Sequence, residues 1–160
     1  MIKRAAFLLS LLAGVACSKS SNATDKPSQL TVTAVPADAI PIKVYKDPNC
    51  GCCKAWIEHL QQNGFVVEVV DMPDLSAVKA KYGITRDLEA CHTAIVNNYV
   101  VEGHVPADLI VKMIRERPAI KGLAVPGMPM GSPGMEGASK EAYDVLTFDS
   151  AGHTAVYARR

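Results

Sequence analysis

Ile42-Lys43-Val44-Tyr45 alternates apolar and polar positions, the period of a β-strand, and Lys46-Asp47-Pro48-Asn49 behind it is turn chemistry. From Cys52 to Gln62 the period changes: Cys53, Trp56, Ile57 and Leu60 recur at spacings of three and four, which predicts a helix stopped by Asn63-Gly64. Phe65-Val66-Val67-Glu68-Val69-Val70 is almost wholly apolar, as expected of a buried parallel strand. Leu75 to Tyr82 predicts a second helix capped by Gly83. Thr93-Ala94-Ile95-Val96 and Tyr99-Val100-Val101-Glu102-Gly103 flank Asn97-Asn98 as a hairpin. Pro106 to Arg115 reads as a helix with Pro106 in its first turn and a core stripe of Leu109, Ile110, Met113 and Ile114. Tyr143 to Phe148 and Thr154 to Ala158 frame Ser150-Ala151-Gly152 as a closing hairpin, and Leu30 to Val35 predicts a short edge strand. Between Pro118 and Lys140 no regular element is expected; a loop of that length is usually functional or disordered.

The order strand, helix, strand, helix, strand, strand, helix defines an α/β protein, a central mixed sheet with flanking helices and a C-terminal β-hairpin. The first strand–helix–strand unit should cross over right-handedly and pair in parallel. The loop leaving its first strand then lies on the side of the sheet where open α/β proteins bind ligands. Cys50-Gly51-Cys52-Cys53 falls there.

The N-terminus adds a location. Lys3 and Arg4 precede an apolar stretch, Ala5 to Val15, that is too short to span a bilayer, and Gly14-Val15-Ala16 supplies small residues before a cleavage point. Cys17 and a polar run follow, the order of a lipoprotein signal in which Cys17 is the lipidated first residue; the other reading is an ordinary secretory signal. The chain is therefore divided into a signal peptide (1–16), a flexible tether (17–39) and a domain (40–160), expected in the periplasm and anchored through Cys17 if lipidated. Without Lys3 and Arg4, 15 of the 17 basic residues face 16 acidic ones. No basic stripe remains, which argues against nucleic acid as a partner.

Export changes what the five cysteines mean. An even set outside the cytoplasm invites disulfides, but Cys50, Cys52 and Cys53 lie within four residues and make a poor staple for a fold. A local cluster suits redox or metal chemistry better. Cys50 and Cys53 form a C-x-x-C at a helix N-terminus, where unpaired N–H groups and the helix dipole favour thiolate. Thiolate attacks disulfides and also binds metal, so the spacing alone leaves both uses open. Gly51 is expected to let the backbone turn between the sulfurs. Cys52 weighs towards multi-sulfur coordination, because a third thiol would divert a mixed disulfide.

Four further residues join the candidate set. Cys91 and His92 are adjacent and should point to opposite faces if the strand begins there, so Cys91 is favoured to reach the cluster. His104 is a second candidate ligand, whereas His59 and His153 read as solvated and Met72 and Met113 as packing. Met128 and Met130, with Met135 beyond, sit among Gly and Pro; thioethers are soft, uncharged ligands that select Cu(I) and do not form disulfides.

These stretches resemble a bacterial family of predicted metal-binding proteins, domain of unknown function 411, some of whose members are associated with cation or copper resistance. The resemblance lies in Asp47 to Trp56, Cys91 to Ala94, Val101 to Pro106 and Gly122 to Glu136, and covers about residues 40–158. It implies a thioredoxin-like fold, export and metal binding. Redox thioredoxins carry a cis-proline before the strand facing their C-x-x-C; here His92-Thr93 stands in that place. The expectation is a soft-metal protein. Its metal ligands would be Cys50, Cys52, Cys53, Cys91, His104, Met128 and Met130. Cu(I) is the favoured ion, with Zn(II) its competitor, and other periplasmic copper-handling proteins are the expected partners. In this reading Met128, Met130 and His104 form an outer or second site. The rival is a thiol–disulfide oxidoreductase using Cys50 and Cys53.

Overall fold

The computed structural model describes residues 38–160. The predicted signal peptide, Cys17, most of the tether and the strand expected over Leu30 to Val35 lie outside the described residues. The elements are β1 (Ile40–Lys46), α1 (Gly51–Gln62), β2 (Phe65–Asp71), α2 (Ser76–Tyr82), β3 (His92–Val96), β4 (Tyr99–Gly103), α3 (Ala107–Glu116), β5 (Gly122–Val125), β6 (Asp144–Phe148) and β7 (Thr154–Arg159), with one 3-10 turn at Arg86–Leu88. The strands form one mixed sheet in the order β2-β1-β3-β4-β5-β6-β7. The fold is α/β, and the C-terminal hairpin is part of the sheet rather than an appendage to it.

The main core lies where α1 and α3 cover one face. Cys53, Trp56, Ile57 and Leu60 make the buried stripe of α1, and Leu109, Ile110 and Met113 that of α3. All of these but Cys53 pack in one cluster with Ile42 and Val44 of β1, Ala94 and Val96 of β3 and Val101 of β4. Full burial of each large aliphatic side chain contributes about 1.5–3 kcal/mol. A smaller cluster of Ile84, Leu88, Val100, Ala124 and Phe148 fills the opposite face.

Three expectations change. Gly122–Val125 is a fully buried strand inside the stretch expected to lack regular structure, parallel to β4. Four residues are too few to display a period. β2 is an edge strand rather than a buried central one: Val66 and Val69 are 39% and 42% exposed, because only β1 pairs with it. His59 is half-buried, and its Nε2 accepts the Ala107 N–H (3.1 Å), holding the start of α3 against α1.

The β3–β4 register matters most for the site. Thr93 pairs with Glu102 and Val96 with Tyr99, so the two-residue turn Asn97-Asn98 closes the hairpin. Continuing the same register beyond the strands sets Cys91 opposite His104.

Candidate metal centre

The cysteine motif begins where β1 ends. Asp47 accepts the Asn49 N–H on its carboxylate (2.7 Å) and the Cys50 N–H on its carbonyl (3.1 Å), folding the turn that delivers Cys50 to the N-cap of α1. Cys50 Sγ accepts the Cys53 N–H (3.2 Å), an acceptor role ordinarily filled by a capping oxygen. The first turn of α1 holds no acidic residue, so no carboxylate opposes thiolate there. Gly51 is helical with open space around its Cα, so the turn does not require it to be glycine.

Cys50 and Cys53 are joined in a disulfide, while Cys52 and Cys91 are free. Cys52 Sγ lies 3.5 Å from Cys50 Sγ, 3.8 Å from Cys91 Sγ and 3.9 Å from Met128 Sδ. The four cysteine sulfurs all fall within 4.8 Å of one another. Cys91 Sγ also touches His104 Nε2 at 3.1 Å and His92 Nδ1 at 3.4 Å. Three separated segments thus converge: the start of α1, the open end of the β3–β4 hairpin, and the Gly/Pro loop after β5.

Both neighbours at position 91–92 reach the cluster, against the expectation that only one would. Cys91 precedes β3 and escapes its alternation, while His92 is the first strand residue and turns into the core. The His92 ring lies 4.2 Å from Trp56 and 5.0 Å from His104, centroid to centroid. Its Nε2 is buried without a hydrogen-bond partner. Burial, reinforced by His104, holds its pKa well below the ordinary value, so the ring is neutral.

His104 is oriented from behind. Its Nδ1 lies 2.7 Å from the Pro133 carbonyl, which can only accept, so Nδ1 carries the proton and Nε2 presents a lone pair towards Cys91. Burial lowers its pKa as well. The Cys91 thiol is pushed up to about 12, first by burial and then by Cys52 beside it. Metal binding would therefore have to displace the Cys91 proton, and a soft cation among these sulfurs is the kind of charge that does so.

The Gly/Pro loop brings its methionines to different places. Met128 is half exposed and leans on Cys52. Met130 sits within the loop, its carbonyl accepting the Glu141 N–H (2.9 Å), and no contact of hydrogen-bonding range ties its sulfur to the cysteines. Met135 is a backbone partner of Gly131 and Ser132. Met128 and His104 therefore approach two different cysteines of one cluster instead of forming a separate site with Met130. The loop is held down at Gly134, whose φ is +85° and whose missing Cβ would lie 2.7 Å from both Cys52 O and Trp56 N.

The donor set of thiols, a thioether and neutral imidazoles is soft and fits Cu(I), while thiolates with imidazole also suit Zn(II). His92, Gly134 and the hairpin register are the parts that residue-type reasoning missed. The register was open to inference from the Asn97-Asn98 turn; nothing in the sequence distinguished Gly134 from its neighbouring glycines.

A seven-stranded α/β domain with clustered thiols at the strand ends defines the class, and comparison with known proteins gives the family. A family described as a protein of unknown function, DUF411, matches residues 88–135. Two solved structures titled "Copper resistance protein copG", Form 2 and Form 1, are similar over the domain. Each is 47% identical and covers 77% of this chain; the matches span 99% and 98% of their own chains, with TM-scores of 0.73 and 0.72. No curated protein matches. The chain belongs to this copper-resistance family.

Proposed function

We propose that this chain is an exported Cu(I)-binding protein that sequesters copper or passes it on in the periplasm. In the reduced protein Cys50, Cys52, Cys53 and Cys91 would supply thiolates, His104 an imidazole and Met128 an exposed thioether, with Met130 two residues further along the same loop. The observation that carries the reading is the convergence on Cys52 and Cys91: sulfur to sulfur at 3.8 Å, Met128 at 3.9 Å from one and His104 Nε2 at 3.1 Å from the other. The copper-resistance titles of the two similar structures support it. A thioredoxin-like reading of the first half is supported by its strand order β2-β1-β3-β4, with β1 and β2 parallel and β3 antiparallel to both its neighbours. Export rests on residues 1–16, and a lipid anchor on Cys17; other copper-handling proteins of that compartment are the proposed donors or acceptors.

The test is a competition titration of the fully reduced protein against a Cu(I) chelator, repeated with Zn(II). Affinity no stronger than that of a Cys50/Cys53/Cys91 triple Ser variant would sink the proposal.

The Cys50–Cys53 disulfide favours a second reading, a thiol–disulfide oxidoreductase. A dithiol substrate would reduce that bond, leaving two protein thiols and one substrate disulfide. Turnover of a disulfide substrate, abolished by Cys50→Ser, would support it; no turnover in either direction would exclude it.

A further inference from the structure

Two opposite charges are buried behind the hairpin end that carries Cys91 and His104. Glu102 is fully buried and forms an ion pair with Lys79 of α2, itself largely buried. Glu102 is paired across the strands with Thr93, so both face away from His92 and Trp56, on the opposite side of the sheet.

Such a pair is a poor source of stability. Removing two charges from water costs several kcal/mol per ion, and well-packed apolar side chains often replace a buried pair without loss. Its hydrogen bonds show where it acts. Glu102 Oε1 accepts the Ala90 N–H (2.8 Å), and Lys79 Nζ donates to the Ala90 carbonyl (3.0 Å). Both peptide groups of the residue before Cys91 are thereby fixed. Glu102 Oε2 accepts the Thr93 hydroxyl (2.6 Å), fixing the chain two residues after Cys91. Glu102 is itself two residues before His104. Between them Gly103, at φ +70°, has no room for a side chain: a Cβ would lie 2.5 Å from Val125 O and 2.6 Å from Ala90 Cβ. The buried pair therefore grips the backbone just before Cys91, the Thr93 side chain just after it, and the strand end that leads to His104.

We propose that Lys79 and Glu102 are positioning residues of the metal centre, a buried polar clamp that holds Cys91 and His104 at the spacing a shared soft metal ion requires. The inference rests on the copper-binding reading above. The clamp touches neither ligand side chain and acts through the backbone that carries them.

The experiment compares two neutral double variants in the reduced full chain. Lys79→Met with Glu102→Gln keeps an amide oxygen for the Ala90 N–H; Lys79→Met with Glu102→Leu keeps none. Cu(I) affinity is read by chelator competition, and Co(II) serves as a probe whose thiolate charge-transfer absorption reports the number and geometry of bound sulfurs. The Leu double should lose roughly 10–100-fold in Cu(I) affinity, the size expected when outer partners of ligands are removed, with a weakened Co(II) band. The Gln double, which keeps the Ala90 N–H bond but lacks the Lys79 bond to the Ala90 carbonyl, should fall between the Leu double and wild type in both. Wild-type affinity and spectrum in a folded Leu double overturn the proposal. If the Leu double does not fold, Thr93→Val, which removes one hydroxyl from Glu102, carries the test with the same two outcomes. Cys91→Ser separates the two levels of argument. Wild-type Cu(I) affinity in that variant defeats the copper-site reading itself. Loss there, with none in the clamp variants, defeats only the clamp.

Discussion

Cys91 Sγ and His104 Nε2 stand 3.1 Å apart across the open end of one hairpin, from positions thirteen residues apart in the chain. The contact follows from the antiparallel register that pairs Thr93 with Glu102. If both groups serve one metal ion, they act as a unit. Cys91→Ser and His104→Gln should each lower Cu(I) affinity by at least about tenfold. The double variant should lose less than the product of the single losses, as residues sharing a partner do. A double-mutant cycle by chelator competition checks this; strictly multiplicative losses would show that the two bind separately.

Gly134 is the point at which the Gly/Pro loop meets α1. Its φ of +85° strains any L side chain, and a Cβ would press on Cys52 O and Trp56 N. Gly134→Ala should destabilise the domain by about 1–3 kcal/mol, the usual cost of a strained backbone position. It should also weaken Cu(I) binding, because Pro133, the residue before it, holds His104. Urea unfolding with a parallel titration measures both; an unchanged unfolding midpoint would refute the close-packing argument.

The free thiol of Cys91 should be slow to react. Thiolate is the nucleophile, and burial together with Cys52 has pushed the Cys91 thiol up to about 12. Limited iodoacetamide treatment at neutral pH, followed by peptide mass spectrometry, should label Cys52 well before Cys91. In the oxidised protein Cys50 and Cys53 should stay unlabelled until a reductant opens their disulfide. Early labelling of Cys91 would contradict the burial argument.

Stability should fall in mild acid. His59, His92 and His104 all have pKa values lowered from 6.5, each chiefly by burial. The unfolded chain therefore takes up protons below about pH 6.5 that the folded chain refuses. Their contribution is complete above that value and is lost as pH falls towards the lowered folded-state values, at up to about 1.4 kcal/mol per pH unit for each proton. Glu102 works the other way: burial raises its pKa, so the folded chain binds a proton before the unfolded chain does. Urea unfolding of the metal-free protein between pH 7.5 and 5 should show a net decline that is shallower in His92→Phe. A flat profile would mean that the imidazoles are protonated within the fold.

Most elements were legible because their periods are long enough to read. The α1 stripe of Cys53, Trp56, Ile57 and Leu60 and the Asn97-Asn98 turn announce themselves, and the structure has both. β5 was missed because four buried residues carry no period. β2 was misjudged because an apolar run does not reveal that one side of the strand goes unpaired. Of the ligands expected from chemical type, Cys50, Cys52, Cys53, Cys91, His104 and Met128 are brought together in space, whereas Met130 is not tied to the cysteines. His92 was set aside by applying strand alternation one residue too early. Lys79 and Glu102 gave no signal, since a lysine on a short helix and a glutamate in a strand look solvated until the fold buries them.

The Asn97-Asn98 turn lies at the far end of β3 and β4 from the thiols, about 17 Å away for strands of five residues at about 3.4 Å per residue. It nevertheless sets the register that brings Cys91 opposite His104. A one-residue slip of that register would exchange the faces of every side chain on the moved strand. Cys91 and His104 would part while every residue of the cysteine motif stayed in place. A homologue with an intact motif and a shifted hairpin register would thus keep the cysteine signature and lose its geometry.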